Sequence, residues 1–205
     1  MARLIRPSFV NGHFYHVFNR GVDKRDVFLE DTDYWRFLFD VKEFNDVNST
    51  INILRRLNKE ALDPVDKDPL VEVICYCLMP NHFHLVLKQL KDGGISKFMQ
   101  KIGIGYTNYF NQKNERSGVL FQGKFKAILV DKDNYLNYLI QYIHLNPLDL
   151  IEPGWKKEGL KNWRKAKAFL EVYRWADCKN YDKYDSLLKE CNLGSFGKIN
   201  DWLID

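Results

Sequence analysis

Two consecutive strand-like segments near the middle of the chain constrain its fold more than any other feature. Residues 71–78 (VEVICYCL) and 82–88 (HFHLVLK) are rich in β-branched and aromatic side chains, and Met79, Pro80 and Asn81 separate them. Proline is disfavoured inside a central strand and common in turns. The sequence therefore predicts that the two segments pair as an antiparallel hairpin.

The segments on either side of this hairpin complete an alternating order of strands and helices. Aromatic and β-branched runs predict strands over 13–19 and 125–130. Apolar residues at helical spacing predict helices that begin near Asp33 and Ile95. The first six elements then follow the order β-α-β-β-α-β. This order is typical of an α+β fold, the ferredoxin-like split βαβ antiparallel sheet with both helices on one face.

A third helix and a small extension follow the predicted sheet. The helix is predicted over 133–146 and ends near Pro147, since proline interrupts a helix. We expect residues 1–150 to form one domain, and residues 151–205, where tryptophans lie among many charges, to form a helical extension packed on it. Residues 45–70 combine a short helical pattern with a proline- and aspartate-rich loop pattern and give no single prediction.

Composition excludes several classes of protein. With 45% hydrophobic and 28% charged residues, the chain is typical of a folded protein and not of a disordered one. Four cysteines and no apolar N-terminal segment favour free thiols in a reducing compartment. No run approaches the roughly 18 apolar residues that a membrane-spanning helix needs. We therefore expect a cytoplasmic protein without a membrane partner.

His82 and His84 are the clearest candidates for a metal site. They stand two residues apart in a strand, so their side chains leave from the same face, opposite Phe83, Leu85 and Leu87. Such a pair can bind one divalent cation, but two half-buried, hydrogen-bonded histidines are the commoner explanation of so short a pattern. Few other histidines are present, so a metal here would be Mg²⁺ or Mn²⁺ with oxygen ligands more readily than structural zinc.

The helix predicted over 133–146 carries a second set of candidates. Tyr138, Tyr142 and Asn146 are each four residues apart and therefore share one helix face. A tyrosine can attack phosphorus when a metal or a cationic neighbour helps its phenol to lose a proton. Tyrosines at helical spacing are more often core residues, so this helix alone does not decide between packing and catalysis.

In combination, these motifs resemble a known family. The matching pieces are FYHVFNRG (14–21), CLMPNHFHLVL (77–87), GVLFQGKFKA (118–127) and YIHLNP (142–147). In this order they are similar to the REP-associated tyrosine transposases, a branch of the single-tyrosine HUH transposases of prokaryotic insertion sequences. The resemblance covers the chain from residue 14 to about residue 150, and the C-terminal residues lie largely outside it.

The resemblance implies a transposase that cleaves and rejoins single-stranded DNA at hairpin-forming repeats. His82 and His84 would bind Mg²⁺ or Mn²⁺, and Asn146 would complete the metal shell. Tyr142 would attack the scissile phosphate and form a 5′-phosphotyrosine intermediate. The alternative is a non-catalytic regulator, derived from such a transposase, that only binds repeat hairpins. A cytoplasmic, nucleoid-associated location in a prokaryote is implied, and a homodimer is left open.

A local excess of positive charge suits a polyanionic partner. The formal net charge of the chain is +4, whereas residues 88–132 contain nine Lys or Arg and three Asp or Glu. A solvated helix surface would give a similar excess. With the resemblance, the residues expected to contact DNA are Arg20, Lys97, Lys101, Arg116, Lys124 and Lys126, and the aromatic residues expected to stack on unpaired bases are Tyr106, Tyr109 and Phe121.

Overall fold

The computed structural model of the protein describes residues 6–48, 67–131 and 133–176. Its strands are β1 (Phe14–Arg20), β2 (Val71–Met79), β3 (His82–Gln89) and β4 (Lys126–Val130). Its α-helices are α1 (Asp31–Glu43), α2 (Gly94–Lys113), α3 (Asp133–Leu145), α4 (Trp155–Glu158) and α5 (Trp163–Val172). Short 3₁₀ helices cover Val22–Lys24 and Asn146–Leu150. Most of residues 45–70 and the end of the predicted extension lie outside the described residues.

The strands form one antiparallel sheet in the order β2-β3-β1-β4. β1 and β2 are both antiparallel to β3 and therefore run parallel to each other with β3 between them. In the same way, β3 and β4 flank β1. This arrangement is the split βαβ topology, so the predicted fold class is confirmed.

Alternation along the strands divides the sheet into two faces. Tyr15, Val17, Phe83, Leu85 and Leu87 are fully or almost fully buried on one face, in a core shared with α1 and α2. We call this the helical face. Both of the first two helices therefore cover the same side of the sheet, as the sequence predicted.

The opposite face, which we call the histidine face, carries a second core. Phe18, Cys75, Cys77 and Val86 pack there with buried residues from α3. Neither Cys75 nor Cys77 forms a disulfide, which agrees with the sequence prediction for these two residues, and both are buried within this core. Trp155, which is 1% exposed, joins the same cluster, so residues beyond 150 pack directly against the sheet. The division of the chain at residue 150 stays a prediction.

The segment after α5 covers the free edge of β2. The Leu78 amide donates to the Trp175 carbonyl over 2.8 Å, and the Tyr173 hydroxyl donates to the Leu78 carbonyl over 2.6 Å. The Trp175 ring also stacks on Tyr34 of α1, with ring centroids 4.5 Å apart. An exposed sheet edge would offer unpaired backbone groups to other chains, and this segment covers part of it.

The loop after β1 fixes the turn that joins β2 to β3. Amides of Val27 and Phe28 donate to the Pro80 carbonyl over 2.7 and 3.0 Å, and the Gly21 amide donates to the Asn81 carbonyl over 2.8 Å. A Cβ at Gly21 would lie 2.2 Å from the Arg25 carbonyl oxygen, so this close approach requires glycine. The turn directly before His82 is therefore held by the backbone of another segment.

None of the helices in the described part of the chain is both long and apolar enough to cross a bilayer.

Two glycines of α2 provide a matched test of the packing between the first two helices. A Cβ at Gly105 would lie 2.5 Å from the Phe44 ring, whereas a Cβ at Gly103 would meet no atom within 4 Å. We expect Gly105→Ala to lower the free energy of unfolding by about 1–3 kcal/mol through overpacking. We expect Gly103→Ala to raise it by about 0.5–1 kcal/mol, because alanine is the better helix former. Urea unfolding of both variants checks this, and equal effects would contradict the packing.

Candidate active site

The two histidines of β3 lie together on the histidine face. Their ring centroids are 5.0 Å apart, with the ring planes perpendicular. In the ladder, His84 stands between Phe18 of β1 and Cys77 of β2, and His82 stands between Arg20 and Met79. His84 is 2% exposed and His82 is partly exposed, so the pair extends from the core towards the surface.

Each of these imidazoles has one nitrogen held by a neighbour. The Nδ1 of His82 lies 2.5 Å from the Asn81 side-chain oxygen, which can only accept, so Nδ1 donates and the neutral ring has its lone pair on Nε2. The Nδ1 of His84 lies 2.9 Å from Nε2 of His16, a buried residue of β1. In both rings Nε2 is thus the nitrogen left for a ligand. Metal-binding histidines commonly have this outer partner.

Burial keeps the histidines of this cluster neutral. It lowers the pKa of His16 to about 3, and it lowers the pKa of His82 to about 3 with help from the positive charges of Arg20 and Lys156. Burial likewise lowers the pKa of His84 well below its ordinary value. Neutral imidazoles are the form that binds a metal, so no proton has to be displaced near pH 7.

Tyr142 and Asn146 lie one turn apart where α3 passes into the following 3₁₀ helix. Both are buried, with Tyr142 3% exposed and Asn146 1% exposed. Tyr142 belongs to the core of the histidine face. The Asn146 side-chain oxygen accepts a hydrogen bond, while its Nδ2 is buried without a partner among the residues described. A buried amide group without a partner is costly in free energy.

Lys156 of α4 connects these residues. Its Nζ donates to the Asn146 side-chain oxygen over 2.8 Å and to Asp149 over 2.7 Å, and it lies 4.8 Å from the centroid of the Tyr142 ring. Its charge also acts on His82. Sequence reasoning missed this residue, because one lysine among the many charges after residue 150 gives no pattern that separates it from a surface lysine.

His16 is the second residue that sequence reasoning missed. It lies in the FYHVFNRG segment, and its only distinguishing signal was its place two residues before Phe18 on the same strand face. In the structure its ring stacks on both Phe18 and His84, with centroids 4.8 and 5.1 Å apart. It therefore packs against His84.

Arg20 lies beside the histidine pair. It is the ladder partner of His82. Burial is the main cause of the lowered pKa of that histidine, and the charge of Arg20 is the second. Its Nε is buried and has no hydrogen-bond partner in residues 6–48, 67–131 and 133–176. The side chain as a whole is partly exposed, so the rest of the guanidinium, next to the candidate ligands, can bind a phosphate oxygen.

The other predicted DNA contacts are spread over the molecule. Lys126 is the ladder partner of Phe18 and lies on the histidine face, with Nζ 5.9 Å from the Phe18 ring centroid. Lys124 is exposed and lines a cavity of about 740 Å³ beside α2. Lys97 and Lys101 donate to backbone carbonyls of residues 46–48. Arg116 donates to the side chain of Asn111 and the carbonyl of Val119. The structure therefore places Arg20 and Lys126 on the histidine face, and contact of all six residues with DNA stays a prediction.

The expectation that Tyr106 and Phe121 stack on unpaired bases is wrong. Tyr106 is fully buried between the first two helices and donates to the Val27 carbonyl over 2.6 Å, and Phe121 is 8% exposed in the same core. Tyr109 is half-buried, and its hydroxyl donates to Asp33 over 2.9 Å. These rings stabilise the helical face.

The buried histidines make the stability of the protein depend on pH. Their pKa values in the folded protein lie near 3 for His16 and His82 and near 4 for His144, below the ordinary value of 6.5. As the pH falls below 6.5, these histidines are protonated in the unfolded chain but stay neutral in the folded chain. The free energy of unfolding therefore decreases. Burial raises the pKa of Asp40 to about 6, so this carboxyl binds a proton more readily in the folded chain and stabilises it as the pH falls. This single group offsets only part of the loss from the histidines.

We therefore expect the free energy of unfolding in metal-free buffer to fall by at least about 2 kcal/mol between pH 7 and pH 5. Urea unfolding followed by tryptophan fluorescence at the two pH values measures it. Equal stability at both would show that the histidines accept protons in the folded state.

Comparisons with known proteins agree with the motifs. A family model for IS200-like transposases matches residues 50–146, just under half of the chain and a range that includes His82, His84, Tyr142 and Asn146. No curated protein matches the chain.

Among solved structures, a REP-associated tyrosine transposase bound to a REP hairpin is similar with a TM-score of 0.55 and 15% sequence identity, over 100% of this chain and 93% of that one. The tRNA(His) guanylyltransferase of Saccharomyces cerevisiae aligns with a TM-score of 0.41 and 10% identity, over 94% of this chain and 83% of that one, which is too low to establish a common fold. Both findings agree with the resemblance that the motifs indicated. The chain is similar to the IS200-like transposases over residues 50–146, and it shares the fold of a REP-associated tyrosine transposase.

Proposed function

We propose that this protein is a metal-dependent endonuclease and strand transferase that cleaves single-stranded DNA at hairpin-forming repeats. Tyr142 is the nucleophile, and the intermediate is a 5′-phosphotyrosine. The observation that carries the proposal is the convergence of Tyr142 and the histidine pair, which come from distant segments, on one face of the sheet, with Lys156 close to both. A purely structural tyrosine would not need the two imidazoles or the partly buried cation.

The donor set fits a divalent metal. His82 and His84 are neutral, and their ring centroids lie 5.0 Å apart on the same face of β3. Each ring has its Nε2 left for a ligand. The Asn146 oxygen accepts from Lys156 and has a second lone pair, so it can serve as the third ligand. A bound Mg²⁺ or Mn²⁺ would supply Lewis-acid polarisation of the scissile phosphate.

His16 determines which nitrogen of His84 is available. For Nε2 of His84 to act as a ligand, Nδ1 must carry the proton and donate to Nε2 of His16. In that form Nδ1 of His16 carries a proton for which the described residues offer no acceptor. Orienting His84 in this way therefore leaves one N–H of His16 buried without an acceptor among the described residues, which costs free energy.

The chain's own residues account for the proposed bond changes. The Tyr142 oxygen attacks the phosphorus and loses its proton, the bond from phosphorus to the 3′-oxygen breaks, and that oxygen takes up a proton from water. Arg20, partly exposed beside His82, holds a non-bridging phosphate oxygen, and Lys126 lies on the same face for a neighbouring phosphate. The new phosphotyrosine bond retains the energy of the phosphodiester, so reversal with another 3′-hydroxyl joins strands without ATP.

One observation favours the alternative of a hairpin-binding regulator that does not cut. Tyr142 is only 3% exposed, and a nucleophile must reach its phosphate. Under the proposal, DNA binding has to displace the groups that cover the tyrosine. Under the alternative, the tyrosine stays covered and the DNA is bound and left intact.

Covalent trapping distinguishes the two functions. We expect wild-type protein, incubated with Mn²⁺ and labelled single-stranded hairpins taken from repeats near the gene, to give a detergent-resistant protein–DNA band. Tyr142→Phe should reduce the band by a factor of about 10³ or more while hairpin binding stays within about twofold. A denaturing gel and fluorescence anisotropy measure the two quantities, and EDTA should abolish the band.

Tyr138→Phe is the matched control, because Tyr138 lies one turn earlier on the same helix. It should retain the band. Loss of the band in Tyr138→Phe but not in Tyr142→Phe would move the nucleophile to Tyr138. Tight binding without a band in any metal would favour the regulator, and competition by an all-ribose hairpin tests whether the partner is RNA.

If His16 orients His84 for metal binding as proposed, substitutions of His16 should change the metal affinity. We expect His16→Leu, which cannot accept from His84, to weaken Mn²⁺ binding about 10-fold or more. His16→Gln, whose side-chain oxygen can accept, should weaken it less. Electron paramagnetic resonance of free Mn²⁺ measures both without catalysis. Wild-type affinity in His16→Leu would show that His16 only fills space.

A further inference from the structure

We infer that Lys156 is a positioning residue for the proposed reaction and that it stabilises the phenolate of Tyr142 as this forms and leaves. The inference rests on the proposed function and adds a residue from outside the part of the chain that matches the transposase family model, residues 50–146. The site is then incomplete without the segment after residue 150.

The position of Lys156 is fixed by packing on both sides. Trp155, its neighbour in α4, is 1% exposed in the core of the histidine face. The Lys156 side chain is itself only 16% exposed, and its ammonium donates to Asp149 and Asn146. A surface lysine loses side-chain entropy to make such contacts, whereas this one is already ordered.

The charge of Lys156 is maintained where it lies. Burial acts to lower its pKa, but Tyr142 and Asp149 outweigh this and raise the pKa above its ordinary value. The ion pair with Asp149, 2.7 Å from the ammonium, holds this positive charge 4.8 Å from the centroid of the Tyr142 ring. A fixed positive charge in a partly dry site interacts more strongly with a developing negative charge than it would in water.

The other groups around Tyr142 do not supply this charge. Tyr135 interacts with it along α3 and is uncharged near pH 7, since burial raises its pKa further above the ordinary value near 10. From β2, Cys75 and Cys77 pack into the same cluster, and both are buried thiols. His82 and His84 are neutral, and the Asp149 carboxylate is bonded to Lys156. Of the described cations, Lys156 is the one against the Tyr142 ring.

The charge has a use in both directions of the reaction. In cleavage, the phenol proton leaves to solvent as the bond from its oxygen to phosphorus forms and the bond to the 3′-oxygen breaks. In strand transfer, an incoming 3′-hydroxyl loses its proton, forms its own bond to phosphorus, and releases the phenolate beside Lys156, where it takes up a proton. In each case the negative charge forms on a phenol whose ring centroid lies 4.8 Å from the ammonium.

A spectroscopic probe tests the charge effect without metal or DNA. In this test, 3-nitrotyrosine replaces Tyr142 in the full chain, and the visible absorbance of the nitrophenol is followed against pH. Lys156→Gln keeps a donor for Asn146 and removes the charge. It should raise the pKa of the nitrophenol by about one unit or more. Lys156→Arg should restore the original pKa, and Lys157→Met, an exposed neighbour, should not change it.

The same variants with the natural tyrosine test the role in the reaction. With Mn²⁺ and the hairpin, Lys156→Gln should slow single-turnover covalent attachment about 10-fold or more near pH 7, with the rate recovering as the pH rises. A loss of packing alone would lower the rate equally at every pH. Lys156→Arg should attach DNA faster than Lys156→Gln.

The outcomes separate this inference from the proposed function. A wild-type covalent complex with unchanged rate and unchanged nitrophenol pKa in Lys156→Gln would overturn the role of Lys156 alone. An unchanged pKa with a pH-independent loss of rate would reduce Lys156 to a packing residue and overturn it as well. No covalent complex in the wild type would overturn the proposed function, and the role of Lys156 with it, even if the nitrophenol responded.

Discussion

The antiparallel pairing of β1 with β3 is the interaction on which the rest of the structure depends. β1 lies inside the sheet, with β3 on one side and β4 on the other, so a change in its register would disturb both ladders. The observed register places Arg20 opposite His82 and Phe18 opposite His84. Because side chains alternate, a slip of one residue would move the buried set of β1 to the wrong face. The two apolar cores therefore specify the geometry of the polar cluster.

The polar cluster is stable because it is shared between rigid elements. The histidines stand on the central strand β3, directly after a turn that is held by backbone hydrogen bonds from the loop after β1. Asn81 in that turn also accepts from Nδ1 of His82. The turn therefore fixes both the start of β3 and the orientation of the His82 ring. Tyr142 and Asn146 come from a helix end packed on the same face. Sites built on strands and helix ends hold their geometry better than sites on free loops.

Much of this could be predicted from the sequence, and the rest depended on contacts that leave no local pattern. Strand alternation gave the common face of His82 and His84, and helical spacing gave the closeness of Tyr142 and Asn146, because both are periodic properties of neighbouring residues. Lys156 reaches the site through a turn anchored by Trp155, and His16 reaches His84 across the ladder. Neither contact follows from spacing along the chain. Tyr106 was misread because an aromatic residue on a helix has the same sequence signal whether it faces the core or a ligand.

The electrostatics of the site favour an anion. Arg20 and Lys156 both disfavour a proton on His82, and the Asp149 carboxylate is bonded to Lys156. These positive charges, which add to the effect of burial on His82, oppose binding of a divalent cation on its own. A phosphate oxygen bound at the same time would offset that repulsion, because it brings negative charge between the cations. Metal and DNA phosphate should therefore bind more tightly together than separately, and thermodynamic linkage requires the effect to be mutual. Under the proposed function, the arrangement would make a metal available for chemistry chiefly when a phosphate is in place.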